Sequence, residues 1–171
     1  VYMTTQLKGQ ETYFLPFNMG KGEGIETGSG HPHNPDGVDT EYLWLDVLTM
    51  DSILQLVESF IFYEVDKTNS KKKTLIFPRY HQRRAVSRLL EDMKTNHTDN
   101  NYLIQHSAGS GKTNTIAWLA HSLVSLHDDQ NRNIVDTVLI VTDRIVVDRQ
   151  LQDAVRQINH KNGVVKVMGD R

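Results

Sequence analysis

The stretch Ala108-Gly109-Ser110-Gly111-Lys112-Thr113 constrains this chain more than any other. It follows a stretch at 101–106 that reads as a short strand and precedes a run with helical periodicity, so it reads as a glycine-rich turn from strand into helix. Its residue types suit one task. Backbone N–H groups at the start of a helix converge on an anion, and the helix dipole favours negative charge there. Gly109 and Gly111 let the backbone approach without a Cβ in the way. Lys112 is placed to reach the β- and γ-phosphates of a nucleotide, and the Thr113 hydroxyl to ligate Mg²⁺. The general pattern opens on glycine. Here that position is His106, which reads as a structural residue at the strand end.

Such a loop needs a sheet beneath it. Residues 137–141 form an uninterrupted apolar run, as in a parallel strand covered on both faces, and 164–168 read as a third strand. Helices alternate with these strands. One spans 78–93, with Val86, Leu89, Leu90 and Met93 at i, i+3, i+4 and i+7. Another spans 115–126, with Ile116, Leu119, Ala120, Leu123 and Val124 on one face, and a third carries Val147, Leu151, Ala154, Val155 and Ile158. The β-α-β-α-β order predicts an α/β fold with a parallel sheet and right-handed crossovers.

Upstream the character differs. Residues 1–7 and 12–17 read as short strands around a Lys8-Gly9-Gln10 turn. The loop 18–40 holds Gly20, Gly22, Gly24, Gly28, Gly30 and Gly37 with Pro32 and Pro35, a density that forbids regular structure. A loop this long is a functional element, a linker or disordered. These pieces cannot bury a core alone and read as the end of a preceding domain. Residues 51–63 read as a helix with Ile53, Leu54, Leu56, Val57, Phe60 and Ile61 on its apolar face and Ser52 with Gln55 as a capping box. The polar, basic stretch 67–73 reads as a module boundary. The expected organisation is therefore 1–50, 51–73 and 74–171.

The formal net charge is −2, so any nucleic-acid contact must come from local patches. The absence of cysteine excludes disulfides and cysteine-based zinc sites and suits a reducing cytosol, so a cytoplasmic location is expected. No apolar run approaches the roughly 20 residues that span a bilayer, and the first ten residues lack the pattern of a signal peptide.

Gln82 shares the apolar side of its helix with Val86 and Leu90, so its amide must find partners inside. Two are open to it: the N6/N7 edge of adenine, by the bidentate geometry used in DNA readout, or nearby backbone. Phe77, Arg79 and Tyr80 are candidates to stack on a base. Thr142-Asp143-Arg144 follows the run 137–141, at the strand end where α/β sheets bind ligands. Thr142 and Arg144 suit DNA phosphate contacts, Asp143 suits the cap of the next helix, and an ordinary turn is the competing reading. Hydrolysis of ATP needs an acidic pair after an apolar strand. Asp128-Asp129 follows Leu126-His127 at a helix end and reads as a solvated turn instead. Pro35-Asp36 and the helical Asp92-x-Lys94 do not compose a nuclease site, and His31 with His33 reads as loop rather than metal site. ATP binding without turnover is expected of this stretch.

Taken in order, Phe14-Leu15-Pro16-Phe17-Asn18, Asn34-Pro35-Asp36-Gly37, Thr40-Glu41-Tyr42-Leu43-Trp44, Phe77-Pro78-Arg79-Tyr80-His81-Gln82, His106 to Thr113, and Thr142-Asp143-Arg144 span nearly the whole chain. The series resembles the restriction (motor) subunit of type I restriction-modification enzymes. The resemblance implies an N-terminal PD-(D/E)xK endonuclease domain followed by two RecA-like lobes of a superfamily 2 translocase. This chain would then be a partial RecA-like P-loop parallel sheet with flanking helices, preceded by the end of an α/β nuclease domain and a Gly-rich loop. The whole subunit would be a type I site-specific deoxyribonuclease that translocates double-stranded DNA with ATP and Mg²⁺, beside methylation and specificity subunits. Carried over by residue, Gln82 reads adenine, Gly109, Ser110, Gly111, Lys112 and Thr113 bind phosphate and Mg²⁺, and Thr142 and Arg144 track DNA. The nuclease carboxylates and the acidic hydrolysis pair have no matching positions. A superfamily 2 helicase not associated with restriction, and a non-enzymatic nucleotide-binding module, are the alternatives.

Overall fold

The computed structural model describes residues 1–21, 30–66, 68–69, 71–96 and 100–158. Its centre is helix α2, Tyr80–Asn96, which starts two residues after the buried Pro78. Val86, Leu89 and Leu90 are buried at the expected spacing, and Met93 packs against the same core. The first turn also buries three larger groups, Tyr80, Gln82 and Arg83.

Helix α3, Lys112–Val124, keeps part of its expected face, since Ala120 is buried and Leu119 and Leu123 pack against the core, but it is turned somewhat from it. Its buried face is Thr115, Ala117, Trp118 and Ala120, whereas Ile116 and Val124 are exposed. Trp118 sets this rotation. It is the largest fully buried side chain, lies against Phe60 and Phe62 with ring centroids 5.6 and 6.1 Å away, and donates its indole N–H to the Phe60 carbonyl at 2.9 Å. An indole that is buried needs both volume and an acceptor, and this orientation supplies both. Helix α4, Ile145–Ile158, lays Leu151, Val155 and Ile158 into the core, and His121 of α3 meets the Val155 carbonyl at 2.8 Å.

The expected helix 51–63 is shorter and less regular. Helix α1 covers Met50–Gln55, a π-helical turn covers Leu56–Phe60, and the chain then enters strand β3, Phe62–Val65. The Phe-Tyr-Glu-Val run prefers a pleated strand, which takes Tyr63 out of the helix. Ser52 and Gln55 form no capping box: the Ser52 hydroxyl donates to the Val47 carbonyl at 2.7 Å, and Gln55 accepts from the Ser87 hydroxyl at 3.1 Å. Leu56 and Phe60 are buried, but Ile53, Leu54 and Val57 face outward. The stretch read as a module boundary joins β3 to strand β4, Lys73–Ile76, in an antiparallel hairpin pairing Phe62 with Ile76 and Val65 with Lys73. Asp66 shapes the start of that connection by accepting from the Thr68 N–H at 2.8 Å, an Asx-type turn.

The N-terminal strands are shorter than read. Strand β1, Tyr2–Met3, pairs antiparallel with strand β2, Leu15–Pro16. Among the described residues the named strands pair only in these two antiparallel hairpins. Segments 101–106 and 137–141, expected as parallel strands, carry no ladder, and the expected strand 164–168 lies outside the described residues. The physical reason is visible at their side chains. Leu103 is 92% exposed and Val141 82%, so neither segment has the cover on both faces that a parallel strand requires.

The upstream stretch packs against α2 through two kinds of contact. Phe17, Tyr42 and Tyr80 stack edge-on, with centroids 5.6 Å apart for Phe17–Tyr80 and 5.0 Å for Tyr42–Tyr80, and the Tyr42 hydroxyl donates to the Phe17 carbonyl. Burial, with Tyr80 beside it, pushes the Tyr42 phenol up to about 12. Beside them the buried Arg83 guanidinium grips both Asp46 carboxylate oxygens at 3.1 Å and donates to the Ser52 hydroxyl at 2.7 Å. The long glycine loop is pinched at its base, where the Gly20 N–H meets the Gly30 carbonyl at 3.1 Å and the Met19 N–H meets His31 Nδ1 at 3.3 Å. Among the described residues no helix is long and apolar enough to cross a membrane.

Candidate functional site

The glycine turn lies where the sequence puts it, directly ahead of α3, with Gly111 at the N-cap position. Gly109 and Gly111 have φ of +72° and +83°, the left-handed region that only glycine enters cheaply. Gly111 offers no side-chain cap, so the first N–H groups of α3 are left to other acceptors. Lys112 folds back over the turn and donates from Nζ to the His106 and Ser107 carbonyls at 3.2 and 2.7 Å. The Ser110 hydroxyl is buried without a partner among the described residues.

Gln82 touches this turn. Its Oε1 accepts from the Arg79 N–H at 2.8 Å and its Nε2 donates to the Gly111 carbonyl at 2.9 Å. The backbone partner foreseen as one of its two options is therefore present. These bonds use one of two amide hydrogens and one lone pair, so a second donor and acceptor remain on the same side chain. A Cβ at Gly111 would stand 2.4 Å from Gln82 Nε2, which shows how closely α2 and the turn approach.

One neighbour of Gln82 was not anticipated. His81 Nε2 lies 3.1 Å from the Ser110 carbonyl, and its ring meets the His106 ring edge-on at 4.9 Å. Because the acceptor is a carbonyl, Nε2 carries the hydrogen. Burial is the main force holding both imidazoles below the ordinary histidine range. Arg79 adds to it for His81, against the Ser110 carbonyl, and His81 and Lys112 add to it for His106. The sequence offered no sign of this pair, since His81 and His106 are far apart in the chain. His106, read as a strand-end residue, ends no strand here; its ring packs against His81 and its carbonyl accepts from Lys112.

A cavity of about 420 Å³ opens beside the turn, with Phe77, Arg79, Gln82, Gly111 and Asn114 in its lining. Tyr80, a stacking candidate, instead points into the core at 3% exposure. Asn114 was also missed; it lies one position past the recognisable motif. Three features of the structure fit a nucleotide here: the positive-φ turn, the buried unpartnered hydroxyl of Ser110, and, beside the turn, a cavity of the usual ligand size.

The strand-end turn lies elsewhere. Arg144 and Asp143 are exposed and form a loose pair at 3.8 Å. Asp143 does not cap α4 as expected: the Asp148 N–H bonds to the Arg144 carbonyl, so Arg144 holds the N-cap position and Asp143 precedes it. Asp128 serves its turn, accepting from the Gln130 and Arg132 N–H groups at 2.9 and 2.8 Å. Asp92 is tied to Tyr102, Asn96 and Asn100, and His33 to Asp39 at 3.2 Å.

A family model described as type III restriction enzyme, res subunit, matches residues 75–171, more than half of the chain, and takes in α2, the glycine turn, α3 and α4. The match defines a class, the helicase-like ATPase region of restriction enzymes, and the chain belongs to that restriction-subunit family. Two curated proteins of Methanocaldococcus jannaschii are similar to it. One, assigned the name type I restriction enzyme MjaVIIIP endonuclease subunit, is 30% identical over 126 residues, 71% of this chain and 12% of its own length. The other, assigned the name type I restriction enzyme MjaVIIP endonuclease subunit, is 31% identical over 121 residues, 67% of this chain and 11% of its own length. The chain thus spans about an eighth of the curated relatives it matches. No solved structure gives a significant match.

Proposed function

We propose that this chain is the nucleotide-binding part of the motor of a type I restriction subunit, and that it binds ATP with Mg²⁺. The observation that carries the reading is the contact between Gln82 and the Gly111 carbonyl, which joins the amide proposed to read adenine to the glycine turn, with both residues in the lining of one cavity. Gly109, Ser110 and Gly111 shape the cradle, Lys112 swings from the His106 and Ser107 carbonyls to the β- and γ-phosphates, and Thr113 ligates Mg²⁺. Gln82 keeps its two backbone bonds and offers its second hydrogen and lone pair to adenine N7 and N6. Bound ATP supplies the γ-phosphoryl group; these residues bind and orient it. Thr142 and Arg144 are read as contacts to the DNA backbone. The names of the relatives, as type I endonuclease subunits, favour a parent that translocates and cleaves double-stranded DNA beside methylation and specificity subunits. They also favour this over a helicase unconnected with restriction.

The test is calorimetric titration of Mg²⁺-ATP into the chain and into Lys112→Ala, with phosphate release followed in parallel. Binding that is lost in the variant, with no turnover in either protein, is the expected result. Turnover by this chain alone would show a catalytic acid that the reading lacks. Equal binding by both proteins would remove the phosphate loop from the site.

A further inference from the structure

The cavity beside Gln82 has a second wall, and it belongs to no recognised motif. Thr4, Thr5, Lys8 and Tyr13 line it from the N-terminal hairpin, in the same lining as Arg79, Gln82 and Gly111. This hairpin lies outside the residues matched by the family model. It is held locally. The chain turns at Gly9, with φ +59°, into a 3-10 turn over Gly9–Glu11. The Lys8 N–H donates to the Thr12 hydroxyl at 2.8 Å, and that hydroxyl donates to the Gly9 carbonyl at 2.8 Å. The next residue, Tyr13, lines the cavity yet is 75% exposed. A largely exposed aromatic ring in the same lining as a side chain that can read a base edge suits a slot for a flat heterocycle. The phosphates of the same ligand would lie at the glycine turn, so the volume beyond Gly111 remains for base and ribose.

Resting on the nucleotide reading above, we propose that the β1–β2 hairpin is the outer wall of the base subsite and that Tyr13 stacks on the purine held by Gln82. The N-terminal stretch then takes part directly in nucleotide recognition. Stacking acts on the base and leaves the phosphate chain untouched, which separates this role from that of Lys112.

The experiment titrates two ligands, Mg²⁺-ATP and inorganic Mg²⁺-triphosphate, into the wild-type chain, Tyr13→Ala and Tyr13→Phe. The expected result is about a tenfold loss of ATP affinity in Tyr13→Ala, within the range for removing one base–aromatic stack, near-wild-type ATP affinity in Tyr13→Phe, and unchanged triphosphate affinity in all three. Unchanged ATP affinity in Tyr13→Ala overturns the proposal, and so does a parallel loss of both ligands. If the wild-type chain binds neither ligand, the nucleotide reading itself fails and takes this proposal with it.

Discussion

Replacing Gly111 with alanine separates two costs that the structure superimposes at one residue. The first is conformational. At φ +83° a non-glycine residue sits in the left-handed region, at about 1–2 kcal/mol, less roughly 0.4–1 kcal/mol from a stiffer unfolded chain. Gly109, at φ +72°, carries the same burden, but a Cβ there meets nothing within 4 Å. Gly109→Ala should therefore cost about 1 kcal/mol. At Gly111 the new Cβ would stand 2.4 Å from Gln82 Nε2, so the amide must move. Gln82 is 4% exposed and tied to two backbone groups, and moving it leaves at least one buried polar group unpaired. That adds about 1–3 kcal/mol, for a total of about 2–4 kcal/mol. Urea unfolding gives both values from the midpoints. In a Gln82→Ala background the extra cost of Gly111→Ala should vanish, which a double-mutant cycle reads directly. Equal destabilisation by the two glycine variants, or an excess that survives in the Gln82→Ala background, would refute the close approach of α2 and the turn.

Three further outcomes are expected. Asp46→Ala should destabilise by about 2 kcal/mol, toward the lower end for a broken pair because Asp46 is half exposed while the guanidinium it leaves is only 6% exposed; denaturant unfolding checks it, and a change within about 0.5 kcal/mol, typical of a surface substitution, counts against the clamp. Trp118→Ala should cost about 3–5 kcal/mol, and Trp118→Phe less, since the phenyl ring refills most of the space but leaves the Phe60 carbonyl without its donor. Stability should fall with acidification through the histidine range: His81 and His106 are depressed in the folded chain, so their neutral forms favour folding above the unfolded value of about 6.5, and that contribution is lost as pH drops through their folded values. The charges facing them are each other, Arg79 and Lys112, all of one sign, so melting temperatures at pH 7.5 and pH 5.5 should separate more for the wild type than for a His81→Gln, His106→Gln double variant.

The glycine turn was legible because every residue in it answers a local need: positive φ at Gly109 and Gly111, an ammonium at Lys112, a helix start behind them. The apolar spacing of α2 was legible for a similar reason, since a 3.6-residue period shows in the residues themselves. What escaped was set by contacts distant in sequence. Trp118 turns α3 because its indole reaches Phe60, and no window around Trp118 contains that partner. His81 meets the Ser110 carbonyl, and Tyr13 lines the same cavity as Gln82, by the same long-range placement. The stretches 101–106 and 137–141 show the converse: a strand-like composition forms a ladder only where a neighbouring strand is in reach.

His81, Gln82 and Arg83 are consecutive, and each is fastened to something different: Ser110, Gly111, and Asp46 with Ser52. One helical turn thus works as a bearing between two arms. A tilt of that turn that opens the glycine cradle must also twist the guanidinium against its carboxylate. Strain put into either arm reaches the other within a few ångströms, with no compliant loop between them to absorb it.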